Sequence, residues 1–141
     1  MAVAADHPEG RPFDPEPSLD AQAAVDEALA DAALAGKHAI IVMGADWCHD
    51  SRALAGWFQT PRFEMMLSEN YVVRYIDVGQ KNRNIDVAQR FGLDNIVGTP
   101  TIIVTNTQGD VLNLETAPTW RNAASRSEIE IFDYFAELAP Q

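Results

Sequence analysis

Six residues, His38 to Met43 (His-Ala-Ile-Ile-Val-Met), run between Gly36 and Gly44 with no polar position after the first. A run this short is of strand type, and a strand that is apolar at every step must bury both of its faces. Strands of this kind usually lie at the centre of a parallel sheet covered on both sides. The chain has 141 residues, 47% of them apolar, enough for one core of ordinary size, so a single domain is expected around this strand.

The remaining elements follow from pattern and punctuation. His7 to Pro17 holds Pro8, Pro12, Pro15 and Pro17, which suits neither a helix nor a central strand, so residues 1–17 read as a flexible or extended arm and residues 18–141 as the domain. An Ala-rich helix is expected from a Ser18 cap to Gly36, with Leu19, Ala23, Val25, Leu29 and Leu34 on or near one face. After Gly44 a helical pattern passes through Leu54, Trp57 and Phe58, and Thr60-Pro61 opens another with Phe63, Met66 and Leu67 on one side. Tyr71 to Val78 reads as a strand and Asn84 to Phe91 as a short helix stopped by Gly92. Thr101 to Thr105 and Val111 to Leu114 flank a Gly-containing connection and read as a hairpin. Ser125 to Leu138 closes the chain as a helix with Ile129, Phe132, Phe135 and Leu138 on one stripe. A βαβ half followed by a ββα half predicts an α/β domain, a mixed sheet of four to five strands with helices on both faces.

Charge removes several function classes. Ten Lys and Arg stand against 21 Asp and Glu, a formal net charge of −11. So acidic a chain is a poor binder of nucleic acid phosphates or anionic lipid, which need clustered bases. The acidity sits at the ends, −7 over residues 1–36 and −4 over residues 100–141, while residues 37–99 are neutral. It therefore reads as solubilising surface. No apolar run approaches the ~20 residues needed to span a bilayer. The start, Met1-Ala2-Val3-Ala4-Ala5-Asp6, lacks the basic region of a signal peptide. A cytoplasmic location is expected, or a periplasmic one for a chain whose leader has been removed.

Cys48 is the single cysteine, which excludes an intrachain disulfide and internal dithiol chemistry. It falls at the joint between the apolar strand and the next helix. There the free amides and the positive end of the helix dipole favour a thiolate. Arg52 and protonated His49 would add to this, and Asp46 and Asp50 would oppose it. A lone Cys is more often a small buried apolar residue, but the polar neighbours at this joint argue against a core site. A second feature lies some fifty residues on, at Val97-Gly98-Thr99-Pro100-Thr101, where an X-Pro after Gly at a strand start suggests a sharp turn, cis or trans.

Other chemistries fail on spacing. Cys48, His49 and Asp50 are consecutive and point in different directions at a helix start, with no further Cys or His at ligand spacing, so no metal site is expected. A papain-like pair would need a distant His, and only His7 and His38 remain, of which His38 opens a strand and reads as structural. A Cys-x5-Arg phosphatase loop fails at Leu54. Trp57, Phe58, Phe63 and Phe91 read as core, and packing is the better reading of Trp120.

Together these segments resemble the thioredoxin superfamily. Trp47-Cys48-His49-Asp50-Ser51, preceded by Ile40-Ile41-Val42, is similar to the thioredoxin active-site segment. Ala88-Gln89-Arg90-Phe91-Gly92, then Val97 to Val104, then Gly109-Asp110, is similar to its cis-proline stretch. Trp-Cys-x-Asp-x-Arg-x-Leu at Trp47 to Leu54, with Thr60-Pro61 after it, resembles the bacterial thioredoxin-like and disulfide isomerase-like branch. The resemblance spans roughly Leu19 to Leu138. It implies that Cys48 is the attacking thiol and that Thr99-Pro100 is cis and packed against it, with the Thr99 backbone open to an extended substrate strand. Trp47, His49, Asp50 and Arg52 would support the site.

Two departures narrow the function. Ser51 stands where a dithiol enzyme has its resolving cysteine, and Val42 stands six residues before Cys48, where thioredoxin has a buried acid. Ser51 can offer a hydroxyl to the thiolate, but it cannot release a mixed disulfide. The expectation is a monothiol, Cys-x-x-Ser protein that exchanges disulfides with partner proteins or glutathione in redox homeostasis. Glutathione would act as co-substrate rather than cofactor, and the Cys-Gly-Phe-Ser loop of cluster-binding monothiol glutaredoxins is missing. The alternative class is a redox-inactive binding module that uses the groove beside Thr99-Pro100.

Overall fold

The structure, a computed structural model, describes residue 13 and residues 20–140. The Pro-rich arm, Phe13 excepted, and the expected Ser18 cap lie outside the described residues. Helix α1 (Ala21–Ala35) is capped instead by Asp20, whose carboxylate accepts the Ala23 N–H at 3.2 Å, and it ends at Gly36 with φ 69°. It buries Ala21, Val25, Ala28 and Ala32, whereas Leu34, expected near the buried face, is 89% exposed. The small stripe wins because alanines repeating at helical spacing let α1 lie close to the sheet.

Strand β1 (His38–Gly44) is buried from Ala39 onward, as its composition requires. It runs parallel to β2 (Tyr71–Asp77) and antiparallel to β3 (Thr101–Thr105), in the order β2-β1-β3. Alternation along β1 divides the core. Ile41 and Met43 face Val25, Ala28, Val87 and Ala88 of α1 and α4 (Ile85–Arg90). Ile40 and Val42 face Leu54, Phe58, Phe63, Ile131 and Phe135 of α2 (His49–Phe58), α3 (Pro61–Asn70) and α5 (Glu128–Glu137). The mixed sheet thus carries helices on both faces.

Three strands, not four or five, are found among the described residues. The expected strand Val111 to Leu114 reduces to one bridge, Thr105 with Val111. Beyond it the side chain of Asn113 takes the place of a strand backbone. Its Oδ1 accepts the Val104 N–H and its Nδ2 donates to the Ile102 carbonyl, both at 2.8 Å. A buried primary amide has the donor and acceptor of a peptide group, so it satisfies the outer edge of β3 without pairing. The chain then turns into a 3-10 segment, Ala117–Ser125, where the sequence suggested no element. The last helix accordingly starts later than expected, with Ser127 as its cap. It buries Ile131 and Phe135, while Ile129 is 66% exposed.

Phe13 is 1% exposed and meets Tyr75 edge to face at 5.3 Å, so one side chain of the Pro-rich stretch belongs to the core. His38 is structural: its Nδ1 donates to the Leu138 carbonyl at 2.7 Å, which ties the end of the chain to the start of β1.

Candidate functional site

Gly44 ends β1, and Ala45 to Trp47 turn the chain so that Cys48 caps α2 with extended backbone angles (φ −88°, ψ 118°). Its amide bonds the Ala45 carbonyl and its carbonyl takes the Arg52 N–H, both at 3.1 Å, so its backbone is committed and its side chain is not a cap. The Sγ instead donates to the Thr99 carbonyl oxygen at 3.3 Å, across 51 residues of sequence. The Thr99–Pro100 peptide bond is cis. Thr99, Pro100 and Cys48 are all buried, and Cys48 is 6% exposed. Thr101 Oγ1 donates to the Gly98 carbonyl at 2.8 Å, which closes the turn before β3.

The other sequence-selected residues divide by direction. Trp47 is 49% exposed and its Nε1 donates to the Gly79 carbonyl at 2.7 Å, which ties the indole to the loop after β2. His49 and Arg52 are exposed. Ser51 is fully buried, and its Oγ accepts the Ala45 N–H at 3.3 Å. Among the described residues its hydroxyl is not hydrogen-bonded to Cys48. Ser51 also explains Gly44, because a Cβ there would lie 2.5 Å from the Ser51 Oγ. Val42 is buried in β1, in the core with Leu54 and Phe58.

Asp50 has a role that its sequence position did not reveal. Its Oδ1 accepts the Ala124 N–H at 2.7 Å, a charge-assisted bond that joins the first turn of α2 to the 3-10 segment. That segment is a third wall of the site. Trp120 at its centre is fully buried, stacked on Phe135 at 5.3 Å and edge-on to Tyr134 at 4.8 Å, so it is packing rather than a surface contact. The Arg126 guanidinium covers its outer face at 3.9 Å. Arg121 lays its stem over Gly98, where a Cβ would lie 2.8 Å from the Arg121 Cβ and Cδ. Gly98 is thus required by Arg121, and Arg121 stands next to Thr99. Nothing in the sequence pattern pointed to Arg121, because residues 117–125 carry no apolar period, and only the glycine before Thr99 hinted at a close approach.

Among the described residues, no group of three or more His, Cys, Asp or Glu is arranged to hold a metal, and no helix is long and apolar enough to cross a membrane.

Comparison with known proteins places this geometry. The chain is similar to a disulphide isomerase from Xylella fastidiosa Temecula1, with 31% identity and a TM-score of 0.79 over 87% of this chain and 94% of the other. A poplar thioredoxin h shares the fold, at 17% identity and a TM-score of 0.56 over 81% and 86% of the two chains. No curated protein matches the sequence. The thioredoxin-like family model matches residues 20–106, which run from the cap of α1 past the end of β3 and hold both Cys48 and Thr99–Pro100. With the mixed sheet, the helix-capping cysteine and the cis-proline turn in one arrangement, the chain belongs to the thioredoxin-like family.

Proposed function

We propose that the protein is a monothiol exchanger that forms transient mixed disulfides between Cys48 and partner proteins. The observation that carries this reading is the contact of the Cys48 Sγ with the Thr99 carbonyl, which puts the only thiol of the chain beside the backbone edge that precedes β3. The similarity to a disulphide isomerase supports it.

In the proposed cycle the Cys48 thiolate attacks one sulfur of a partner disulfide. The Cys48–partner S–S bond forms, the partner's own S–S bond breaks, and the departing sulfur leaves as a thiolate that takes a proton from water. Ser51 cannot close a second disulfide, so an external thiol such as glutathione completes the cycle. Its attack on the partner sulfur returns the Cys48 thiolate and leaves a partner–glutathione disulfide. A second glutathione reduces that product to the partner thiol and glutathione disulfide.

The test is glutathione-dependent reduction of a peptide disulfide by the wild type and by Cys48→Ser, together with alkylation of Cys48 at neutral pH. Exchange that is lost in Cys48→Ser, with alkylation faster than that of free cysteine, is expected. Equal rates for the two proteins would leave only the binding-module reading.

A further inference from the structure

We propose that Arg52 and Arg121 form an anion-recognising rim on the two sides of Cys48, which selects partner disulfides flanked by Asp or Glu. This deepens the exchange reading, on which it rests, by naming a substrate class.

Seven arginines lie among the described residues. Arg62, Arg74, Arg83 and Arg90 are paired with Glu128, Glu27, Asp77 and Asp26. Arg126 covers Trp120 and donates to Asn122 and Thr119. Arg52 and Arg121 alone of these seven have neither an acid nor a hydrogen-bond partner among the described residues. In a chain with 21 acids and 10 bases an unpaired guanidinium is the exception, and both exceptions fall at the site. Arg52 lies four residues after Cys48, the cap of α2, and is exposed at that end of the helix. Arg121 lies across Gly98, one residue from the carbonyl that meets the Cys48 Sγ.

The chemistry favours a carboxylate. A guanidinium presents a planar fork of N–H donors that matches the two oxygens of Asp or Glu. The Arg121 stem is already packed on Gly98, so less rotamer freedom is lost when its head is engaged. Two acids adjoin Cys48 in the sequence, Asp46 and Asp50. The Asp50 carboxylate is engaged by the Ala124 amide, and Asp46 is the exposed acid of the joint. The global charge of −11 repels an acidic partner at long range, so recognition depends on this local pair and is weakened by salt.

Fluorescently labelled peptides with one cystine flanked by Glu, Gln or Lys test this, with affinity read by anisotropy on the intact Cys48→Ser chain. At low salt the Glu peptide is expected to bind about two- to fivefold more tightly than the Gln peptide. Arg121→Gln and Arg52→Gln should each bring that ratio towards one, Arg121→Lys should keep only part of it because the ammonium retains the charge without the fork, and Arg121→Glu should turn the preference to the Lys peptide. Equal affinities for the Glu and Gln peptides, or a ratio untouched by both Gln variants, overturn the rim. Exchange of the Gln peptide by the wild type is measured separately. Charge-selective binding without exchange would refute the exchanger and leave the rim standing, and exchange without charge selectivity would do the reverse.

Discussion

The Cys48 thiol donates to the Thr99 carbonyl oxygen, so the attacking atom of the proposed exchange and the backbone proposed to dock its partner are hydrogen-bonded to each other. A thiolate has no proton to donate, so in the proposed exchange loss of the Cys48 proton would free the Thr99 carbonyl. Cys48→Ser keeps a donor at this place and Cys48→Ala removes it. The Ala variant is expected to be less stable than the Ser variant by about 1 kcal/mol, the usual net worth of one hydrogen bond, measured by urea unfolding. Equal midpoints would mean that Thr99 gains nothing from the contact.

Ser51 lies three residues after Cys48, on the same face of α2. Ser51→Cys is therefore expected to give the site an internal resolving thiol and raise disulfide reduction with dithiothreitol by an order of magnitude or more. The Ser51 Oγ is tightly held by Gly44 and the Ala45 amide, so the larger sulfur should also lower the melting temperature by a few degrees. A stable variant that forms no disulfide between Cys48 and the introduced thiol under mild oxidation would show that the geometry around Cys48 differs from that of a dithiol site.

Asn113 holds the outer edge of β3 through two side-chain bonds to backbone, and its Nδ2 also reaches the Tyr134 hydroxyl at 2.6 Å. Asn113→Ala leaves the Val104 amide and the Ile102 carbonyl buried without these partners, at a cost of about 2–4 kcal/mol. Asn113→Asp should also destabilise, because a carboxylate cannot donate to the Ile102 carbonyl. Hydrogen exchange at the Val104 amide is the direct readout, and it should accelerate in both variants while the amides of β1 change less.

The sequence made legible what is periodic or punctuated. His38 to Met43 showed the central strand because every position after the first is apolar, and Gly44, Pro61 and Gly92 marked ends that the structure keeps. Cys48 and Pro100 are legible as a pair through the resemblance of their two segments to the thioredoxin superfamily, which implies the cis bond that the structure has. Asn113, Arg121 and the Asp50 bond to Ala124 are not legible in the sequence for a common reason. Each works through a contact with residues distant in the chain, and a polar residue in an aperiodic stretch looks the same whether it faces solvent or satisfies a buried backbone. On α1 the structure keeps Val25 and part of Leu29 on the buried face but not Leu34, because close approach to the sheet favours alanine there.

Two tyrosines of β2 make the stability of the fold sensitive to alkaline pH. Burial pushes the Tyr75 phenol up from 10.0 to about 12, and burial, with the charge of Tyr134 beside it, pushes Tyr71 higher still. The fold thus favours the neutral phenols. Their stabilising effect is complete below pH 10 and is lost as pH rises towards the folded-state values, because the unfolded chain releases its protons first. At pH 11 the loss from Tyr75 alone should be about 1 kcal/mol relative to pH 9. Tyr75→Phe keeps an aromatic ring against Phe13 but removes the ionising group. The difference between urea midpoints at pH 9 and pH 11 should therefore shrink in Tyr75→Phe, and an unchanged difference would assign the alkaline loss to Tyr71, whose hydroxyl donates to the Phe135 carbonyl at 2.6 Å.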